Sequence, residues 1–148
     1  MIKTTWLNGF EDLKDAVMIR EKVFVEEQNV PYAEEFDGTD EASMHLVIYN
    51  EDMPVATGRI LWDEGVFTIG RVAVLKEARG EKYGDFLMRL LIRKAFECGA
   101  QRQVIHAQIA AKGFYEKLGF EQISAPYMEA KIPHIDMARE GDIACYCL

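Results

Sequence analysis

A β-rich run that passes through a glycine-bearing basic loop into an amphipathic helix constrains this chain more than any other feature. Residues 65–75 read as a strand whose core, 67–74, is rich in β-branched side chains. The loop Ala78-Arg79-Gly80-Glu81-Lys82-Tyr83-Gly84 follows. The helix after it carries Tyr83, Phe86, Leu87, Leu90, Leu91, Ala95 and Cys98 on one face. Asp85, Arg89, Arg93 and Glu97 form the opposite, solvated stripe, and Gly99 supplies the stop. Such a helix must bury its apolar face on a sheet, which places the chain among layered α/β folds.

The flanking segments extend that pattern. Residues 3–7 are β-prone, and Asn8 with Glu11 has capping-box spacing. Leu13, Val17, Ile19, Val23 and Phe24 then give an apolar helical stripe, closed by Glu27 and Gln28. Residues 26–41 read as a solvated loop with seven carboxylates and no Lys or Arg, the functional alternative being attraction of a cationic amine. Strands at 44–49 and 55–62 flank a turn at 50–54 and predict a hairpin. Beyond the central helix come a strand at 104–109, a short helix at 110–118 and a strand at 120–124. One or two further strands are expected in 127–148. Strands followed by β-α-β-α-β specify an α/β (α+β) fold, a mixed sheet with helices on its faces. No repeat or linker divides residues 1–148, so a single domain is expected.

The net charge of −8 argues against nucleic acid and anionic membranes as partners. It is unevenly spread. Residues 1–70 carry 5 basic and 15 acidic side chains, whereas residues 71–117 carry 10 basic and 5 acidic. The basic middle suits a phosphate-bearing ligand. Three cysteines, with Cys145 and Cys147 one residue apart, form neither a disulfide framework nor a paired metal-binding motif. With no membrane-length apolar window and no signal-peptide core, a reducing, cytoplasmic setting is expected. The scattered His45, His106 and His134 do not suggest a metal site.

A strand, a Gly-bearing basic loop and a helix N-terminus together can cradle phosphate, because backbone N–H groups point outward and the helix dipole favours negative charge. The loop is neither a P-loop nor a dinucleotide fingerprint. About thirty residues on stands Gly113-Phe114-Tyr115-Glu116-Lys117-Leu118-Gly119-Phe120, a short helix with a Gly stop and a Phe entering the next strand. Together the two segments resemble the GCN5-related N-acetyltransferase (GNAT) superfamily, whose acetyl-coenzyme A loop is [RQ]-x-x-G-x-[GA] and is commonly followed by Y-E-K-x-G-F. Arg20-Glu21-Lys22-Val23-Phe24-Val25-Glu26-Glu27-Gln28, Ile69-Gly70-Arg71-Val72-Ala73-Val74 and His106-Ala107-Gln108 resemble its ElaA-like branch. Pro133-His134-Ile135-Asp136-Met137 resembles that branch and also glyphosate N-acetyltransferases.

The resemblance implies a GNAT fold, with a mostly antiparallel central sheet and two splayed strands, and acetyl-CoA as donor to a small-molecule amine. It places the coenzyme diphosphate on the amides of Arg79, Gly80, Glu81, Lys82, Tyr83 and Gly84. Val72, Ala73 and Val74 would offer backbone groups to the pantetheine arm, and an amide aimed at the thioester carbonyl would stabilise charge developing there. Tyr115 takes the general-acid role, and His134 the base role that an imidazole suits near neutrality. Glu27, Gln28, Arg71 and His106 fall on the acceptor side, and His45 reads as structural. No metal is implied, and pairing into a homodimer through C-terminal strands is common in the superfamily. Lys82 departs from the pattern, standing where the loop has its first Gly. Its Cβ and long side chain would crowd the diphosphate, or its ammonium would add a phosphate contact that offsets weaker backbone donation. That departure supports an alternative: a non-catalytic acyl-CoA-binding or protein-interaction module of the same fold.

Overall fold

The computed structural model describes residues 1–146. Strand β1 (Ile2–Asn8) leads into α1 (Lys14–Arg20), which continues as a π-helical segment, Glu21–Glu27. A short α2 (Tyr32–Glu35) precedes β2 (Ser43–Asn50), β3 (Met53–Asp63) and β4 (Val66–Val74). Helix α3 (Tyr83–Glu97), β5 (Arg102–Gln108), α4 (Lys112–Glu116), β6 (Glu121–Gln122), β7 (Tyr127–Glu129) and β8 (Ile132–Glu140) complete the order. The strands form one sheet in the order β1-β2-β3-β4-β5-β8-β6, with β7 on β8. Among the described residues, only β4 and β5 pair in parallel.

Alternation along β3 puts helices on both faces. A Cβ on Gly58 would sit 2.6 Å from Leu91 of α3, so that face must carry no side chain there. The next residue, Arg59, points to the other side and pairs with Asp40, which also binds Arg20 of α1. On α3, Tyr83, Leu87, Met88, Leu91, Ile92 and Ala95 are buried, while Cys98 is exposed rather than part of the apolar face. The opposite stripe is not simply solvated. Arg89 pairs with Asp85 and donates to the Ala144 carbonyl, and Arg93 pairs with Asp142, so the chain after β8 is strapped over it. Cys98 and Cys145 are free thiols. Cys147, and with it the end of the expected strand region, lies outside the described residues.

Asn8 and Glu11 do exchange backbone contacts, with the Asn8 N–H donating to Glu11 Oε1 at 3.0 Å. They close a turn rather than cap a helix, and α1 starts only at Lys14. Gly9 explains this. Its ideal Cβ would lie 2.2 Å from the Asp40 carbonyl oxygen, so the chain is held against the 40–42 turn before it can wind.

The parallel pair that matters is short. β4 and β5 pair at Thr68–Val104 and Ile69–Ile105 only. Just beyond, β4 carries a bulge opposite β3, where the register shifts between Thr57 and Arg59 and Arg71 adopts a left-handed φ of 49°. The strands then part, as the family resemblance implies. Their facing backbone edges lose each other as hydrogen-bond partners.

Candidate active site

The divergence of β4 and β5 opens a cleft of about 910 Å³. One end is the junction between β4 and α3. Gly80 takes φ 88°, Lys82 takes φ 65° and ψ 18°, and no side chain caps the first turn of α3. The leading amides of that 15-residue helix therefore point outward with the positive end of the dipole. Arg79 crosses the junction. Its Nε donates to the Val74 carbonyl at 3.1 Å, and its two terminal nitrogens hold Glu27 at 2.6 and 2.8 Å. That hydrogen-bonded pairing holds the Glu27 carboxyl below its ordinary value.

Tyr115, on α4, lines the cleft with its ring edge-on to Phe114 and Phe120. Burial pushes its hydroxyl up to about 12, so it keeps its proton throughout the neutral range. Across the cleft, β5 and β8 place His106 opposite Asp136 and Gln108 opposite His134. The His134 Nδ1–H donates to the Ile132 carbonyl at 2.6 Å, which leaves the lone pair of the neutral ring on Nε2. Glu129 stands 3.4 Å from that nitrogen, and the Tyr127 ring stacks on the imidazole. The His106 Nδ1–H donates to Asp136 Oδ1 at 2.6 Å, and the Tyr127 hydroxyl donates to the same oxygen. Gln28 accepts from Gln108 at 2.8 Å, tying the end of the π-helical segment to β5.

The remaining wall comes from the acidic loop, and it is not a solvated segment. Glu35 is buried, with Arg20 Nε at 2.8 Å and Arg71 Nε at 3.1 Å from its carboxylate. Asp40 accepts from both Arg20 and Arg59, and Asp37 lies 3.5 Å from Arg71. Burial pushes Glu35 up against the pull of Arg71 and Arg20. Burial also opposes ionisation of Asp40, but there the hydrogen bonds and charges of Arg20 and Arg59 prevail and hold it below its ordinary value. His45 is buried, donates from Nε2 to the Asp40 carbonyl, and is pushed down by burial, as a structural histidine would be.

The Acetyltransferase (GNAT) domain family matches residues 12–140. The chain belongs to the GNAT family. Among its relatives, the Bacillus subtilis (strain 168) protein named "Uncharacterized N-acetyltransferase YjcF" is 39% identical over 131 residues, covering 88% of this chain and 94% of that one. Protein ElaA of Escherichia coli (strain K12) is 37% identical over 130 residues, 84% of each chain. The crystal structure of Escherichia coli ElaA superposes with a TM-score of 0.86 at 34% identity, over 93% of this chain and 99% of that one. That of an acyl-CoA N-acyltransferase from Pseudomonas aeruginosa gives a TM-score of 0.86 at 30% identity, over 94% and 99%.

GNAT proteins use acetyl-CoA as donor, and this N-acetyltransferase has the groups to receive it. The uncapped α3 N-terminus and the backbone edge of β4 past Ile69 suit a diphosphate and a strand-like pantetheine amide. Within the loop, Arg79 and Gly84 line the cleft, whereas Glu81 and Lys82 are exposed. The Tyr83 side chain lies in the core, so that residue can offer only its backbone. Val72, Ala73, Val74, Arg71, Gln28, His106, Tyr115 and His134 all line the cleft, while Glu27 is exposed and reaches it through Arg79. Sequence reasoning passed over Asp136, Tyr127 and Gln108. The two-residue period of a strand could have found Asp136, since it must share the face of His134. Among the described residues no helix is long and apolar enough to cross a membrane, and no cluster of metal-ligating side chains is found.

Proposed function

We propose that this GNAT enzyme transfers the acetyl group of acetyl-CoA to the primary amine of a small-molecule acceptor by direct attack on the thioester. The observation that carries the reading is the parting of β4 and β5 with a protonated phenol on one side and two oriented imidazoles on the other. Acetyl-CoA, when bound, supplies the activated carbonyl and a thiolate leaving group. The chain supplies placement and proton management. The backbone edge of Val72, Ala73 and Val74 holds the donor arm, and the loop from Arg79 to Gly84 holds its phosphates. Tyr115 gives its proton to the departing sulfur; burial pushes the phenol up to about 12 and makes it a weaker acid, so the step depends on the sulfur being held close to its hydroxyl. His134 accepts a proton from the attacking nitrogen at Nε2, with Nδ1 committed to Ile132. Gln28 and Arg71 shape the acceptor side, Arg71 being held in place by Glu35 and Asp37.

The test joins coenzyme binding to thiol release. Acetyl-CoA should raise the melting temperature, and a panel of primary amines should give thiol release with the wild type. Tyr115→Phe should lower kcat by about 100-fold or more, in the range of a lost general acid, with coenzyme affinity nearly unchanged. An unchanged kcat removes Tyr115 from that role. Coenzyme binding without turnover on any amine would favour the binding module instead.

A further inference from the structure

An acceptor that arrives as an ammonium and leaves as an amide sheds two protons from nitrogen, and one base accounts for only one of them. The cleft holds a second imidazole in a more elaborate setting than the first. His106 faces Asp136 across the β5–β8 ladder, with 2.6 Å between Nδ1 and Oδ1. Asp136 is itself anchored on three sides. Its N–H donates to Ser124 Oγ at 2.8 Å, its carbonyl accepts from the Ile123 N–H at 2.9 Å, and the Tyr127 hydroxyl donates to the same carboxylate oxygen as His106. Burial opposes ionisation of Asp136, but the hydrogen bonds from Tyr127 and His106 outweigh it and keep the carboxyl below its usual range. With Nδ1 committed as donor to a carboxylate, the neutral His106 ring has its lone pair on Nε2. The His106 side chain is 46% exposed on the cleft wall, whereas that of His134 is 8% exposed. Strand parity sets His106 on the same face as Gln108, which binds Gln28 on the acceptor side.

Resting on the N-acetyltransferase reading, we infer that His106, positioned by Asp136, removes the first proton from the incoming ammonium. His134 is left to take the second. In the first transfer an N–H bond of the ammonium breaks, its electron pair stays on nitrogen, and a bond forms between the proton and His106 Nε2. The exposed imidazolium then returns that proton to bulk water. This division of work makes His106 dispensable for an acceptor that is already neutral, and His134 necessary for both kinds.

Methylamine and ethanolamine, protonated near pH 7, and hydroxylamine, largely neutral there, serve as probes with acetyl-CoA and the full-length enzyme. His106→Gln should lower kcat/KM for the protonated amines by about 100-fold or more, and for hydroxylamine by less than about tenfold. His134→Ala should lower both alike. Asp136→Ala should reproduce the selective loss in milder form. It should also shift the His106 ring away from the Nδ1–H tautomer in nitrogen-15 spectra, a change that a purely structural carboxylate would not produce. Equal losses on both acceptor types in His106→Gln, full activity of that variant on methylamine, or a wild-type His106 found as the Nε2–H tautomer would each overturn the inference. A wild type that binds coenzyme A yet acetylates none of the amines would overturn the transferase reading and this one with it.

Discussion

Lys82 stands at the N-cap of α3 with φ 65° and ψ 18°, a left-handed conformation that disfavours any residue bearing a Cβ. The sequence marks this position as a departure from the [RQ]-x-x-G-x-[GA] pattern, but only the backbone shows why glycine suits it. The loop turns through the left-handed region twice, at Gly80 and at Lys82, to deliver the chain into the helix. A left-handed L-residue costs roughly 1–2 kcal/mol, partly offset because glycine loses more freedom on folding, by about 0.5–1 kcal/mol. Lys82→Gly should therefore stabilise the protein by about 1 kcal/mol, a rise in melting temperature of about 2–4 °C for a chain of this size. Calorimetry reads this directly, and a lowered melting temperature would show that the lysine side chain outweighs its backbone strain. The same scale explains Asp136. His134 is legible through its Pro-His-Ile setting, yet its neighbour two residues on has meaning only once β5 places His106 across from it.

At the scale of elements, the strand–loop–helix junction is legible because an apolar stripe of helical period follows a β-branched run. The wall between the π-helical segment and β2 is not. Its carboxylates look solvated in sequence because their partners, Arg20, Arg59 and Arg71, lie up to 36 residues away from Glu35 and on three different elements. Folding converts the acidic loop into a buried ion network that fixes α2 and the 40–42 turn over the sheet. Asp40 joins two guanidiniums in this network, both with side chains nearly inaccessible to solvent. Asp40→Asn leaves those charges short of a carboxylate and should cost about 3 kcal/mol at pH 7, the low end for breaking a buried pair because Asp40 is partly exposed. The pH dependence has a definite sign. The folded-state carboxyl of Asp40 sits below its unfolded value of about 3.9, so its contribution is complete above that pH and is lost as pH falls through the folded value. Urea unfolding should show the wild type and variant well separated at pH 7 and converging under acid conditions. Glu35 shifts in the opposite direction, so the difference between the two proteins, rather than the wild-type curve alone, isolates Asp40.

Across the whole molecule, the net charge of −8 conceals an acidic and a basic stretch that both line the cleft. The basic stretch 71–117 contains the loop at the α3 N-terminus, while the acidic first 70 residues contribute Gln28, Glu34, Glu35 and Asp37 to the cleft wall. The two stretches meet at the Arg79–Glu27 pair, where a guanidinium of the basic stretch is neutralised by a carboxylate of the acidic one. Sequence places both residues near the site but cannot join them, since 52 positions separate them. A diphosphate approaching this loop meets an arginine already occupied and a carboxylate that repels it. Glu27→Gln removes both obstacles at once. Exposed ion pairs of this kind are worth about 0.2–1 kcal/mol, so coenzyme A should bind about 1.4- to fivefold more tightly to the variant at low salt. The gain should shrink as added salt screens exposed charge. Pantetheine, which lacks phosphates, should bind wild type and variant alike. Titration calorimetry with both ligands separates the cases: an equal gain for pantetheine would place the effect on the donor arm, and no gain for coenzyme A would mean that Arg79 stays on the Val74 carbonyl and takes no part in holding phosphate.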